Sequence, residues 1–130
     1  MEDYHAAFKE RHMDTETLCQ SGRKVAAMHF GGVTIECLLK DIICNTLPGG
    51  ASQNLRTHSY TELLKHHQKL KDRATFPAVR EWLEEVEKPT SQHFIDMRYS
   101  SIEPDDTSYK RWLNAYKCLK GWLHKQATQL

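Results

Sequence analysis

The stretch "HFIDMRYSS", residues 93–101, gathers His93, Asp96, Arg98 and Tyr99 into a short polar segment. Arginine holds phosphoryl oxygens with a planar fork of donors, and histidine transfers protons near neutral pH. The segment therefore suits a phosphate ester, with Arg98 on the anion and His93 or Tyr99 as the weaker candidates for catalysis or a supporting hydrogen bond. The bland reading of the same residues, a structural turn, comes first. In that reading Phe94, Ile95 and Tyr99 hold the chain to a core while Asp96 and Arg98 pair with each other or with neighbouring charges. Both readings are open at this stage.

Three further groups have chemical potential. In "GGVTIECLLKDII" Glu36 precedes Lys40 by one helical turn, the favourable order for an intrahelical pair. With His58, they form either a polar patch at the edge of a core or a contact toward a partner. The last segment is basic and carries Lys110, Arg111 and Lys117, followed by Lys120 and Lys125, with no acid. Lys110, Arg111 and Lys117 join Arg98 as candidate phosphate contacts, although a solvated face is the ordinary meaning of such charges. Residues 56–73 add Lys65, Lys69 and Lys71 among several histidines. Beside the last segment they would hold RNA or a nucleotide with salt-sensitive affinity. The acids Glu81, Glu84, Glu85 and Glu87 would instead face a basic partner. Arg23 and His29 are also six residues apart, but on one continuous helix that is about 240° of rotation, so they are not expected to converge.

Other chemistries find little support. His66 and His67 are adjacent, so a helix would point them about 100° apart, and no His-Glu-x-x-His pattern occurs. "PGGAS" follows no strand and reads as a turn, not a phosphate loop. No metal and no cofactor is expected. Cys19, Cys37, Cys44 and Cys118 form no Cys-x-x-Cys pair and read as buried reduced thiols.

These residues must be carried by helices. The 130 residues suffice for one domain with one core, spanning 1–130. A net charge of +1 gives no bulk attraction to nucleic acid or membrane, so any anionic partner needs a local patch. No run of about 18 apolar residues occurs, and the polar, acidic first residues differ from a secretory signal; the expected location is cytoplasmic. A first helix is expected over 2–20, with a possible break at 12–15. The most apolar helix follows over 23–47, where Gly31 and Gly32 would let a neighbour approach closely. "THSYTELLKHHQKL" predicts a third helix, with Ser59 and Glu62 as a capping box. "ATFPAVREWLEEV" predicts a fourth, and Pro89 ends it. A long connection then leads to a final helix over 107–127 with an apolar stripe through Tyr109, Trp112, Tyr116, Leu119 and Leu123. Trp122 falls off that stripe and should be partly exposed. The fold class is all-α, an antiparallel bundle of four to five helices.

"AAMHFGGVTIECLLKDII", then "THSYTELLKH", then "RYS" before a last helix, resembles the HEPN family of small prokaryotic helical-bundle domains. Glu36, Leu39 and Lys40 match its E-x-x-L-K-like core. Thr57, His58, Leu63 and Leu64 match the next helix start, and Arg98 and Tyr99 match a later Arg-Tyr turn. The resemblance implies a HEPN-like bundle that dimerises and works in toxin–antitoxin or defence systems. It would bind RNA, a nucleotide or a minimal nucleotidyltransferase partner. Nuclease members use an Arg, four to six residues and a His, and cleave RNA without metal. After Arg98 the corresponding positions hold Glu103, Pro104 and Asp105, so that motif is missing before the last helix. The alternative is a non-catalytic, homodimeric protein-interaction module.

Overall fold

A computed structural model describes residues 3–50 and 54–130, and all regular structure among them is helical. The helices are α1 (Tyr4–Gln20), α2 (Lys24–Thr46), α3 (Tyr60–Leu64), α4 (Gln68–Arg73), α5 (Pro77–Glu87) and α6 (Asp106–Ala127). Two 3-10 turns, Pro89–Ser91 and Asp96–Tyr99, lie in the connection between α5 and α6. Glu2 of the expected first helix, and Ala51 and Ser52 of "PGGAS", lie outside the described residues.

Local chemistry explains where the elements start. Asp3 caps α1 by accepting from the Ala6 N–H at 3.0 Å. No break occurs at 12–15, because the Thr15 hydroxyl donates to the Arg11 carbonyl at 2.7 Å instead of capping a new helix. Thr15 is fully buried against Thr34 of α2. Gly22, at φ 71°, supplies the left-handed residue that reverses the chain into α2. Asp105 caps α6 through the Ser108 N–H at 2.7 Å, and Asp106 in its first turn binds Lys24 at 2.7 Å.

The third expected helix is in fact two. Ser59 caps α3 through the Glu62 N–H, but the Glu62 carboxylate binds Lys65 rather than closing the capping box. His67 then interrupts the helix. Its Nδ1 accepts from the Leu70 N–H at 3.2 Å and so caps α4. The Thr46 hydroxyl donates to the Ile42 carbonyl, so at 3.0 Å it accepts from His67 Nε2–H. A tertiary contact to the end of α2 thus overrides the local helical pattern.

The long helices form an up-down-up-down bundle. His5 meets Asp41 and Thr15 meets Thr34, so α1 and α2 are antiparallel. Arg73 meets Gln126 and Arg111 lies toward Glu85, so α5 and α6 are antiparallel as well. The diagonal pair α2 and α6 runs parallel, with Lys24 on Asp106 and Gly31 on Trp112. That close diagonal depends on the glycines. A Cβ at Gly31 would overlap the Trp112 indole, and one at Gly32 would overlap the Phe94 ring. The core that results is built on Met28, Ile35, Leu39, Tyr60, Phe94 and Trp112. Trp122 packs half-buried at its rim.

No helix among the described residues is long and apolar enough to cross a membrane. None of the four cysteines is in a disulfide, and only Cys37 is buried. The other three are partly exposed, which corrects the expectation of a buried set.

Candidate functional site

The first residues of α2 and the turn before α6 enclose a cleft of about 420 Å³. Arg23, Val25, Ala26, His29 and Phe30 line one side, and Met97, Arg98, Ser100, Ser101 and Glu103 line the other. Among the described residues neither Arg23 nor Arg98 has a carboxylate partner. No side chain caps the start of α2, so its first N–H groups add positive potential to the same space. Glu103 is the one acid in the lining among the described residues.

Arg23 and His29 share this cleft, contrary to the helical-wheel expectation. Arg23 is the residue before the helix, at φ −86° and ψ 76°, so the helical rotation does not govern its direction. His29 Nδ1 lies 2.9 Å from the Phe94 carbonyl. A carbonyl only accepts, so Nδ1 carries a proton, and in the tautomer with one ring proton Nε2 is the acceptor. The cleft therefore combines two guanidinium donors with an oriented imidazole acceptor.

The turn "HFIDMRYSS" is held by Phe94 and Met97, both essentially fully buried. Tyr99 does not help to hold it, being 77% exposed. Asp96 and Arg98 form no pair, because the Arg98 guanidinium stacks over the Tyr99 ring at 4.8 Å. His93 is used structurally. Its Nδ1 accepts from the Ile95 N–H at 3.1 Å and its Nε2 donates to the His58 carbonyl at 3.2 Å. With both nitrogens engaged, His93 has none left for proton transfer, whereas His29 has one.

Glu36, Lys40 and His58 meet in a second cluster. Buried Glu36 accepts from Lys40 Nζ at 2.9 Å on one oxygen and from His58 Nδ1 at 2.7 Å on the other. Lys40 also lies over the Tyr4 ring at 5.5 Å. Close by, Glu87 accepts from the Tyr60 N–H at 3.0 Å, and the Tyr60 hydroxyl donates to the Gly32 carbonyl at 2.7 Å. The charges here answer one another and tie the start of α3 to α2.

The basic residues of α6 do not converge with Arg98. Arg111 lies in a groove with Glu81, Glu84 and Glu85, its Nε 3.6 Å from Glu85. Lys117 lines a different groove of about 390 Å³ with Lys120, His12 and Tyr116. There His12 bridges Glu16 and the Tyr116 hydroxyl. Burial, then Lys120, lowers the His12 pKa, and burial raises that of Tyr116. Lys110 is exposed and lines none of these three grooves. Among the described residues no three His, Cys, Asp or Glu side chains gather into a group able to hold a metal ion.

No family model, no curated protein and no solved structure matches this chain.

Proposed function

We propose that the chain is a HEPN-like helical domain of a prokaryotic toxin–antitoxin or defence system, and that it binds RNA by a phosphate in the cleft of Arg23, His29 and Arg98. The carrying observation is that two guanidinium groups, neither ion-paired among the described residues, line one cleft together with the His29 imidazole, whose Nδ1 is held by the Phe94 carbonyl. Two guanidinium groups that share a concave surface, with only Glu103 beside them to offset their charge, favour an anion from outside. The support from sequence is the order of the HEPN-like segments. The Arg-x5-His spacing of Arg23 and His29 adds to it, now that both side chains line one cleft. A minimal nucleotidyltransferase partner belongs to the same reading.

The test is binding of a mixed RNA pool by the wild type and by Arg23→Ala/Arg98→Ala over a salt series. Removing two phosphate contacts should reduce the magnitude of the log–log salt slope by about 1.4 for a single strand, at ~0.7 per contact. Equal affinity and slope in both proteins defeats the reading. Incubating the same RNA in EDTA adds the chemistry. Cleavage by the wild type and not by His29→Ala makes His29 the proton-transfer group, while intact RNA in both leaves a binding site only.

A second reading, the non-catalytic homodimeric interaction module, draws on Tyr99 and Ile102, which are 77% and 81% exposed beside the cleft. Large apolar groups in water often mark an interface. Light scattering tests it, and a monomer at every concentration removes it.

A further inference from the structure

We infer that Tyr99 is a stacking platform for a nucleobase, so that the cleft takes single-stranded rather than duplex RNA. This rests on the RNA reading above and adds the substrate class. The 3-10 turn Asp96–Tyr99 is anchored through Met97, and the residue before it in the core is Phe94, so the backbone that presents Tyr99 is fixed. A turn that needed another anchor would bury its aromatic ring, yet this ring stays in water. Its one ring contact among the described residues is the Arg98 guanidinium at 4.8 Å. Arg98 itself lines the cleft. The aromatic ring is therefore coupled, by the residue beside it, to the place proposed for the phosphate.

Charge decides what should lie on such a ring. A protein partner would need carboxylates for Arg23 and Arg98 together with an apolar group for Tyr99. A nucleotide unit of a single strand offers an anion and a flat π-face linked covalently, which is the combination displayed here. A duplex offers the anions but keeps its bases inside the stack, so Tyr99 would stay unused. The cleft's two arginines, partly offset by Glu103, also match the few phosphates of one strand better than the broad footprint of a helix.

The experiment measures affinity by fluorescence anisotropy for the full chain as wild type, Tyr99→Ala, Tyr99→Phe and Arg23→Ala/Arg98→Ala. The probes are a short oligoadenylate, the same strand annealed to its complement, and an abasic ribose-phosphate strand of equal length. Tyr99→Ala should weaken oligoadenylate binding about tenfold, in the range found for loss of one base–aromatic stack. Tyr99→Phe should bind as the wild type, and Tyr99→Ala should bind duplex and abasic strand as the wild type does. The inference is overturned if Tyr99→Ala leaves oligoadenylate affinity unchanged, or weakens the abasic strand as much. It is equally overturned if the wild type is a dimer by light scattering that Tyr99→Ala dissolves, since the ring then belongs to an interface between copies. Failure of the RNA reading is separate: there the double arginine variant binds all three probes as the wild type does.

Discussion

Helix α2 carries two clusters built from the same chemical types, and they differ in whether the chain completes them. Toward its C-terminal half, Glu36 has a hydrogen-bond donor on each carboxylate oxygen, Lys40 on one and His58 on the other. At its N-terminal end, Arg23 and His29 line one cleft with Arg98, and among the described residues neither arginine has a carboxylate partner. The first cluster is closed: every charge is answered by a residue that the fold already positions. The second is open, and its cations remain available for a ligand. Residue type alone does not separate structure from function in this protein; the supply of partners does.

The largest effect is expected in the closed cluster. Glu36→Ala would strand the Lys40 ammonium, which is only 8% exposed. Breaking one partner of a buried pair costs about 3–5 kcal/mol, and urea denaturation should register a loss of that order. Replacing both members with Leu and Met should restore most of it, because packed apolar groups commonly match a buried pair. A Glu36→Ala protein as stable as the wild type would mean that the cluster is not closed in the sense argued.

Gly32→Ala comes next and links the two regions. The added methyl would overlap the Phe94 ring, and overpacking of this kind costs about 1–3 kcal/mol. Phe94 also orients His29 through its carbonyl and precedes the Arg98 turn. The variant should therefore lose stability and RNA affinity together. Loss of stability with affinity intact would uncouple the turn from the core.

A smaller effect should follow pH. Burial lowers the His67 pKa below its ordinary value of 6.5, and protonating Nδ1 would remove the acceptor that caps α4. Above 6.5 the folded and unfolded states are both neutral at this site, and stability is complete. As pH falls below 6.5 the unfolded chain takes up a proton that the folded chain resists, so stability declines until the folded pKa is passed. Burial lowers His12 and His124 in the same direction. Melting temperature should thus fall below pH 6.5, and His67→Asn, which keeps a capping oxygen, should flatten part of that fall. An unchanged pH profile in His67→Asn would assign the acid sensitivity to the other two histidines.

The sequence made the closed cluster easier to foresee than the open one. Glu36 and Lys40 are one turn apart on a strongly apolar helix, so local geometry alone announces the pair. The roles of Gly31 and Gly32 were legible too, since paired glycines inside an apolar helix imply a close neighbour. The cleft required information that no window of sequence contains. Arg23 appears helical by pattern but lies just outside α2, and His29 is oriented by a carbonyl 65 residues away. The split between α3 and α4 was hidden for the same reason, because it depends on Thr46 reaching His67. Tyr99 misled differently: its apolar ring suggested an anchor, but Phe94 and Met97 already supply one.

The smallest stability effect is expected from Arg98→Ala, and its smallness is the point. Arg98 is exposed, forms no ion pair among the described residues, and touches chiefly the ring of its equally exposed neighbour. Surface substitutions of this kind usually change stability by less than about 0.5 kcal/mol, so the melting temperature should stay at the wild-type value. RNA affinity should nevertheless fall, and fall most at low salt, where a phosphate contact contributes most. Against Glu36→Ala the contrast is complete: one change destabilises the fold without touching the cleft, the other weakens binding in the cleft without touching the fold. If Arg98→Ala instead lowered the melting temperature sharply, Arg98 would be a structural residue of the turn.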